Sequence, residues 1–419
     1  MLGADNQGSF LNRFSIRRNQ FSPSDSVHDQ ELEDLELLQR HVADGFSDLL
    51  SSLNYHDTSS TAAAAETPAD AEDTSGHPPP PPPPPFLSIA WFRRLLDVFL
   101  CCEAEYKAIL LSGRDPTQFS KPPLDRLIPD LLERSVKALD ICNAINHGVD
   151  LIQHWQKLAQ IAVAALRQAP LGDGQVRRAR KALTTLLSSM AFDDKENTSS
   201  NFHVRWTERT RSFGRRVGIT KDRAPANFRS LSWSVAKSWS AAKQIQTMSS
   251  NLAAPRGNEA TGPAMPVYIM NTILVFVMWA IVAAIPCQER NGLSAHLQVP
   301  RNLGWAQPII GLQEKIGDDW KKKEKKGTSG LLEELQRMEK LAHSLVEFAD
   351  GFVFPAEEEK ATEVEAMTAE MAEVCRRMEE GLGPLQQQVR EVFHRIVRSR
   401  AEILEVVDQV SKMSTPVPY

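Results

Sequence analysis

Pro266–Cys287 reads PVYIMNTILVFVMWAIVAAIPC, and no Asp, Glu, Lys or Arg occurs between Glu259 and Glu289. A helix of about 20 apolar residues spans the roughly 30 Å hydrocarbon core of a bilayer, and Val267–Ile285 just reaches that length. Val267, Ile273, Leu274, Val275, Phe276, Val277, Trp279, Ile281, Val282 and Ile285 are therefore candidates for a membrane segment. Asn271 and Thr272 interrupt the run one turn in, and both are neutral. Tyr268 near one end would suit the headgroup level, and Pro286 closes the other. The competing reading is the central helix of a soluble bundle, which is also apolar on every face. The stretch decides the fold because, if it stays in the protein, it demands helices around it on every side.

The surroundings do not choose between the two. Arg256 lies on one side and Arg290 and Arg301 on the other, so the positive-inside rule gives no orientation. The N-terminus, MLGADNQGSF, has neither an apolar h-region nor a basic n-region, and Leu2 stands where myristoylation needs glycine. TPVPY at the C-terminus is not a prenylation box. A single pass would have to carry one large half across the bilayer, which weighs against spanning. The chain is expected to be cytoplasmic and membrane-associated, with a single-pass arrangement as the other possibility.

Outward from this stretch the pattern is helical almost everywhere. Residues 1–27 read as a flexible basic tail, with Arg13, Arg17 and Arg18 among Phe10, Leu11, Phe14 and Ile16. Residues 28–55 form an amphipathic helix with Leu32, Leu35, Leu38, Val42, Phe46, Leu49 and Leu53 on one face. Residues 56–85 are an Ala/Ser-rich and polyproline linker; its unbroken run Pro78–Pro85 forms a stiff rod. Residues 86–192 form an N-terminal helical part. A helix is expected to end near Ser112, and a second opens at Pro122 and Pro123 and runs on towards Leu166, with Pro129 in its first turn. A third spans Gln175–Phe192. Residues 231–419 form a C-terminal helical part holding the apolar helix 266–287. Its last third is expected to contain three helices, the final two separated by a turn at Gly381, Gly383 and Pro384. Strand signals are absent, so the fold class is all-α, an elongated multi-helix bundle.

Residues 193–230 read as a basic linker. Arg205, Arg209, Arg211, Arg215, Arg216, Lys221, Arg223 and Arg229 face only Glu208 and Asp222 between His203 and Ser230, and Trp206, Phe213 and Phe228 are interleaved. Such a stretch gains about 1 kcal/mol per basic residue near an anionic lipid surface. An acidic partner is an equal candidate. Nucleic acid is the weaker reading, since no reading module accompanies the charge.

Composition excludes little: 42% hydrophobic and 24% charged residues are ordinary for a globular chain, and a net charge of −5 selects no partner. The five scattered cysteines do not make a disulfide framework. No GxSxG, P-loop, HExxH or CxxC motif is present. His147 and His154 lie seven apart on one helix face without a matching carboxylate pair, so no metal site follows. No catalytic residue, cofactor, metal or small-molecule substrate is assigned, and the chain is expected not to be an enzyme.

Five segments carry a family likeness: GSFLNRFSIRRNQ (8–20), LQRHVADGFSDLL (38–50), WFRRLLDVFLCCEAEYKAIL (91–110), VFVMWAIVAAIPCQER (275–290) and PRNLGWAQPIIGLQEKI (300–316). Together they resemble the plant BYPASS-related family, and within it the branch of proteins that interact with the seventy-kilodalton subunit of the exocyst. The resemblance implies a non-enzymatic adaptor with that subunit as partner, acting in exocytosis and polysaccharide secretion. The other branch implies a regulator of a root-derived growth-controlling signal, by ligand binding or an unrecognised enzymatic activity.

Overall fold

Apolar residues recurring every three or four positions, with strand formers never alternating, leave helix packing as the way to bury the core. A computed structural model describes residues 23–61, 83–111, 116–168, 171–191, 239–287, 293, 297–324, 330–352 and 358–414. Among these residues there are nine α-helices and no strand. They are α1 (Pro23–Thr61), α2 (Ile89–Leu111), α3 (Leu124–Leu166), α4 (Asp173–Ala191), α5 (Ala241–Ser249), α6 (Ala264–Ala284), α7 (Gln307–Glu324), α8 (Glu333–Asp350) and α9 (Glu358–Ser414).

The apolar stretch is α6, and all of its residues are buried within the bundle. It meets α2 and α3 most extensively, then α5, α7 and α1. That encirclement accounts for a helix with no polar face. Around it the long helices form the frame. α1 runs antiparallel to α2, since His41 meets Glu105 at 2.9 Å while the Trp91 indole donates to the Leu49 carbonyl at 3.2 Å. α9 runs parallel to α2, with Gln388 at Arg93 (3.1 Å) and Glu402 at Lys107 (3.0 Å). It runs antiparallel to α3, with Gln386 at Asp150 (2.8 Å) and Gln156 at the Cys375 carbonyl (3.0 Å).

Local chemistry sets several helix ends. The Ser88 hydroxyl accepts the Trp91 N–H at 3.2 Å and opens α2; the Ser240 hydroxyl accepts the Lys243 N–H at 3.3 Å and opens α5. Gly351 closes α8 by donating to the Glu347 and Phe348 carbonyls.

Two expectations are corrected. Pro129 is not in the first turn of α3, which begins five residues earlier at Leu124. Its missing N–H would have served the Asp125 carbonyl; both residues are exposed, so water takes that role. The turn at Gly381–Pro384 does not exist, and α9 continues through it as one 57-residue helix. The buried residues Met371, Val374, Met378, Leu382, Leu385, Val389, Val392 and Ile396 keep helical spacing across the breakers. Pro384 frees the carbonyl of Glu380, and Glu380 is exposed, so this penalty too falls on the wet face. Gly381 has a packing reason: a Cβ there would lie 2.8 Å from Ile89 Cγ2 at the start of α2. Gly148, inside α3, has a stronger one, with its Cβ position 2.1 Å from the Pro286 carbonyl oxygen that follows α6.

Candidate functional site

Every membrane-segment candidate, from Val267 to Ile285, is buried among other helices; Trp279 and Ile281 are the least enclosed at 3% exposure. The basic candidates Arg205, Arg209, Arg211, Arg215, Arg216, Lys221, Arg223 and Arg229 lie outside the described residues.

The polar groups that interrupt apolar faces gather at three places. The first explains Asn271. Arg134 on α3 is 6% exposed, and its Nε donates to the Met248 carbonyl at 2.9 Å and its Nη2 to the Ser250 carbonyl at 3.1 Å. These are carbonyls at the end of α5, where a cation complements the helix dipole. Its Nη1 reaches Asn271 Oδ1 at 3.4 Å, and the Asn271 amide donates to the Val267 carbonyl at 2.9 Å. Thr272 donates to the Tyr268 carbonyl at 2.9 Å. Burial pulls the Arg134 pKa down, and Asp130 and Glu133 work against that.

The second is a junction of helix ends. The N–H groups of Leu331 and Leu332 donate to the Ala283 and Ala284 carbonyls at the end of α6, at 3.0 and 3.3 Å. The Glu333 N–H donates to the Leu87 carbonyl at 3.0 Å. Leu87 holds φ 59°, a left-handed turn that aims this carbonyl away from α2. Glu334, 3% exposed, accepts the Ile89 N–H at 3.1 and 3.3 Å and so caps α2 from a different helix. Burial pushes its carboxyl up to about 7, with Glu333 adding to the rise and Arg377 opposing it.

The third lies between α2 and α9. Glu103 is 3% exposed, accepts from the Ser399 hydroxyl, and faces Arg395 Nη1 at 3.4 Å. Burial raises its pKa, and the Ser399 and Arg395 contacts pull it back. Cys101, the exposed thiol, is pushed up by burial and then by Glu105 and Asp97. Burial likewise raises Cys102, Cys142 and Cys375. None of these four therefore has the depressed pKa of a nucleophilic cysteine.

In each place the charged group is committed to a helix end or an interhelical bond, so the chemistry locks helices together. His147 is exposed and His154 half-buried on α3; among the described residues no cluster of three His, Cys, Asp or Glu is arranged to hold a metal. Arg177, Arg180, Lys181, Thr184 and Thr185 line an open groove on the outer face of α4. Sequence reasoning passed over Arg134, Glu103 and Glu334. Their signal was a single charge set among apolar residues on an inward face.

Comparison with known proteins fits this architecture to a family. The family described as Protein ROH1-like, related to BYPASS, matches residues 1–407, well beyond the segments that end at Ile316. Protein ROH1A of Arabidopsis thaliana is 56% identical over 424 residues, covering 99% of both chains. Protein ROH1D of the same plant is 47% identical over 332 residues, covering 77% of this chain and 82% of the relative. No solved structure matches. By the extent and identity of these matches, the chain belongs to the plant ROH1-like family.

Proposed function

We propose that the chain is a non-enzymatic helical adaptor that binds the seventy-kilodalton exocyst subunit and modulates exocytosis or polysaccharide secretion at the membrane. What supports this reading is the ordered set of five sequence segments that resemble the branch of BYPASS-related proteins named for the exocyst subunit. The geometry is consistent with it, because the buried titratable groups cap helices and tie α2 to α8 and α9, and α3 to α5. In this reading α6 stays inside the protein, and the basic segment 205–229 provides contact with anionic lipid.

The test is equilibrium binding of the full chain to the purified exocyst subunit. Saturable one-to-one binding supports the reading, and its absence removes it. Flotation on phosphatidylserine vesicles tests the lipid part separately: neutralising Arg205, Arg209, Arg215 and Arg216 should release the chain from the vesicles.

A second reading, a regulator of a root-derived growth signal acting on a ligand or through catalysis, draws support from Glu334. A buried carboxyl near pKa 7 is a common property of functional sites. Against it, both oxygens of that carboxylate already face the Ile89 amide.

A further inference from the structure

Two helices on opposite flanks of the bundle carry opposite charge. α1 packs on α2, α6 and α7, whereas α4 packs on α3 and α8, so the two share no main packing partner. α6 and α3 stand between them, α6 meeting α1 and α3 meeting α4. Packed helix axes lie 8–10 Å apart, which puts these flanks on the order of 20 Å from each other. α1 exposes Asp29, Glu33, Glu36, Asp44 and Asp48 against Arg40. α4 exposes Arg177, Arg178, Arg180 and Lys181, and holds no carboxylate after Asp173.

The pattern of α4 separates its two sides. Val176, Ala179, Leu183, Leu186 and Met190 are buried at spacings of three and four, which turns Arg177, Lys181, Thr184 and Ser188 outward together. The nearest carboxylates are already engaged: Asp173 pairs with Arg177 at 2.8 Å, and Asp350 of α8 pairs with Arg180. Arg178 and Lys181 make no ion pair among the described residues. The Thr185 hydroxyl donates to the Lys181 carbonyl at 2.8 Å, and Thr184 and Ser188 continue the exposed face. Arg177 to Ser188 is about 16 Å of helix on which cations and then hydroxyls, but no acids, meet the solvent. Phosphate oxygens are the acceptors that suit such a face.

The charge of the far flank favours an extended surface over a compact phosphate-bearing partner. The chain carries −5 overall, so an anionic plane attracts it only where the acidic flank is turned away. Salt limits the reach of an exposed charge to about 8 Å, which leaves α1 outside the field of a surface that touches α4. We propose that α4 lies against anionic lipid, with Arg178 and Lys181 at the headgroup phosphates and α1 facing away. The inference rests on the reading that the chain meets an anionic bilayer, and it fixes which side of the bundle is turned there.

The test uses the full chain carrying Cys101→Ser, which removes the exposed native thiol and leaves four buried ones. A fluorophore on Ser188→Cys in α4 is compared with one on Ser47→Cys, an exposed site on α1. Phosphatidylserine vesicles should shield the label at 188 from acrylamide and leave the label at 47 unchanged. Arg178→Gln with Lys181→Gln breaks no ion pair among the described residues and leaves the segment 205–229 intact. At about fivefold per basic residue, the double variant should partition onto the same vesicles about 25-fold more weakly at low salt. Arg178→Lys, which keeps the charge, should partition as the native chain does. Shielding at both positions, at 47 alone or at neither, or an unchanged partition of the double variant, would overturn this orientation and leave lipid contact through 205–229 standing. A native chain that does not bind the vesicles would remove both. Shielding of 188 by a soluble phosphorylated peptide and not by vesicles would assign the face to a phosphoprotein, and would also overturn the proposal.

Discussion

Glu334 shows how a single residue can set a pH dependence. Its carboxyl is raised from about 4.5 in an unfolded chain to about 7 by burial. A raised carboxyl contributes its stability below the unfolded value, and that contribution is lost as pH climbs through the folded one. Between pH 4.5 and 7 the loss amounts to about 3 kcal/mol. Asp97 and Glu103 are also raised by burial and add slopes of the same sign. The Glu334→Gln variant keeps an acceptor for the Ile89 N–H but has no charge to desolvate. Urea denaturation across this range should give a shallower stability–pH curve for the variant, and the difference between the two curves isolates Glu334. Parallel curves would mean the carboxylate is solvated in solution. A lone charge on an inward face marks Glu334 as unusual, but nothing local names its partner. Ile89 and Glu334 are 245 positions apart, and only the meeting of three helix ends makes one the cap of the other.

At the scale of elements, α9 is where breaker chemistry and hydrophobic register disagree, and register prevails. Gly381, Gly383 and Pro384 together would cost a helix about 5 kcal/mol by propensity alone. The apolar stripe on either side of them buries many times that in side-chain area, and it stays in phase only if the helix is unbroken. The two glycines then predict opposite outcomes. A Cβ at Gly383 meets nothing within 4 Å, so Gly383→Ala should stabilise by about 0.5–1 kcal/mol. A branched side chain at Gly381 strikes Ile89, so Gly381→Val should destabilise by about 1–3 kcal/mol. Denaturation midpoints check both, and a destabilised Gly383→Ala would restore the turn. The amphipathic helices themselves were legible because each buries one stripe: Gln175–Phe192 is matched by α4 at Asp173–Ala191, whereas α1, expected over 28–55, runs Pro23–Thr61 and so takes the first residues of the expected linker. The continuity of α9 was equally present in the spacing Met378, Leu382, Leu385, Val389, but the local turn residues carried more weight than the long-range period.

For the whole molecule the question is which solvent α6 faces, and Asn271 separates the answers by sign. In hydrocarbon an Asn is a burden, so Asn271→Leu would strengthen insertion. In the bundle Asn271 Oδ1 is an acceptor for the buried Arg134, whose other donors hold the end of α5. Removing that acceptor leaves a buried cationic N–H underserved, at a cost of about 1–3 kcal/mol. A spanning helix would also have to bring its neighbours into the bilayer, and these include α2 and α3, whose outer faces carry Asp97, Arg126, Glu133 and Asp150. Asn271→Leu is therefore expected to lower the denaturation midpoint of the full chain. Alkaline carbonate should release both the native chain and the variant from microsomes. If the variant instead unfolds later and stays in the membrane pellet, α6 faces lipid, and the contacts that surround it here belong to a different state of the chain.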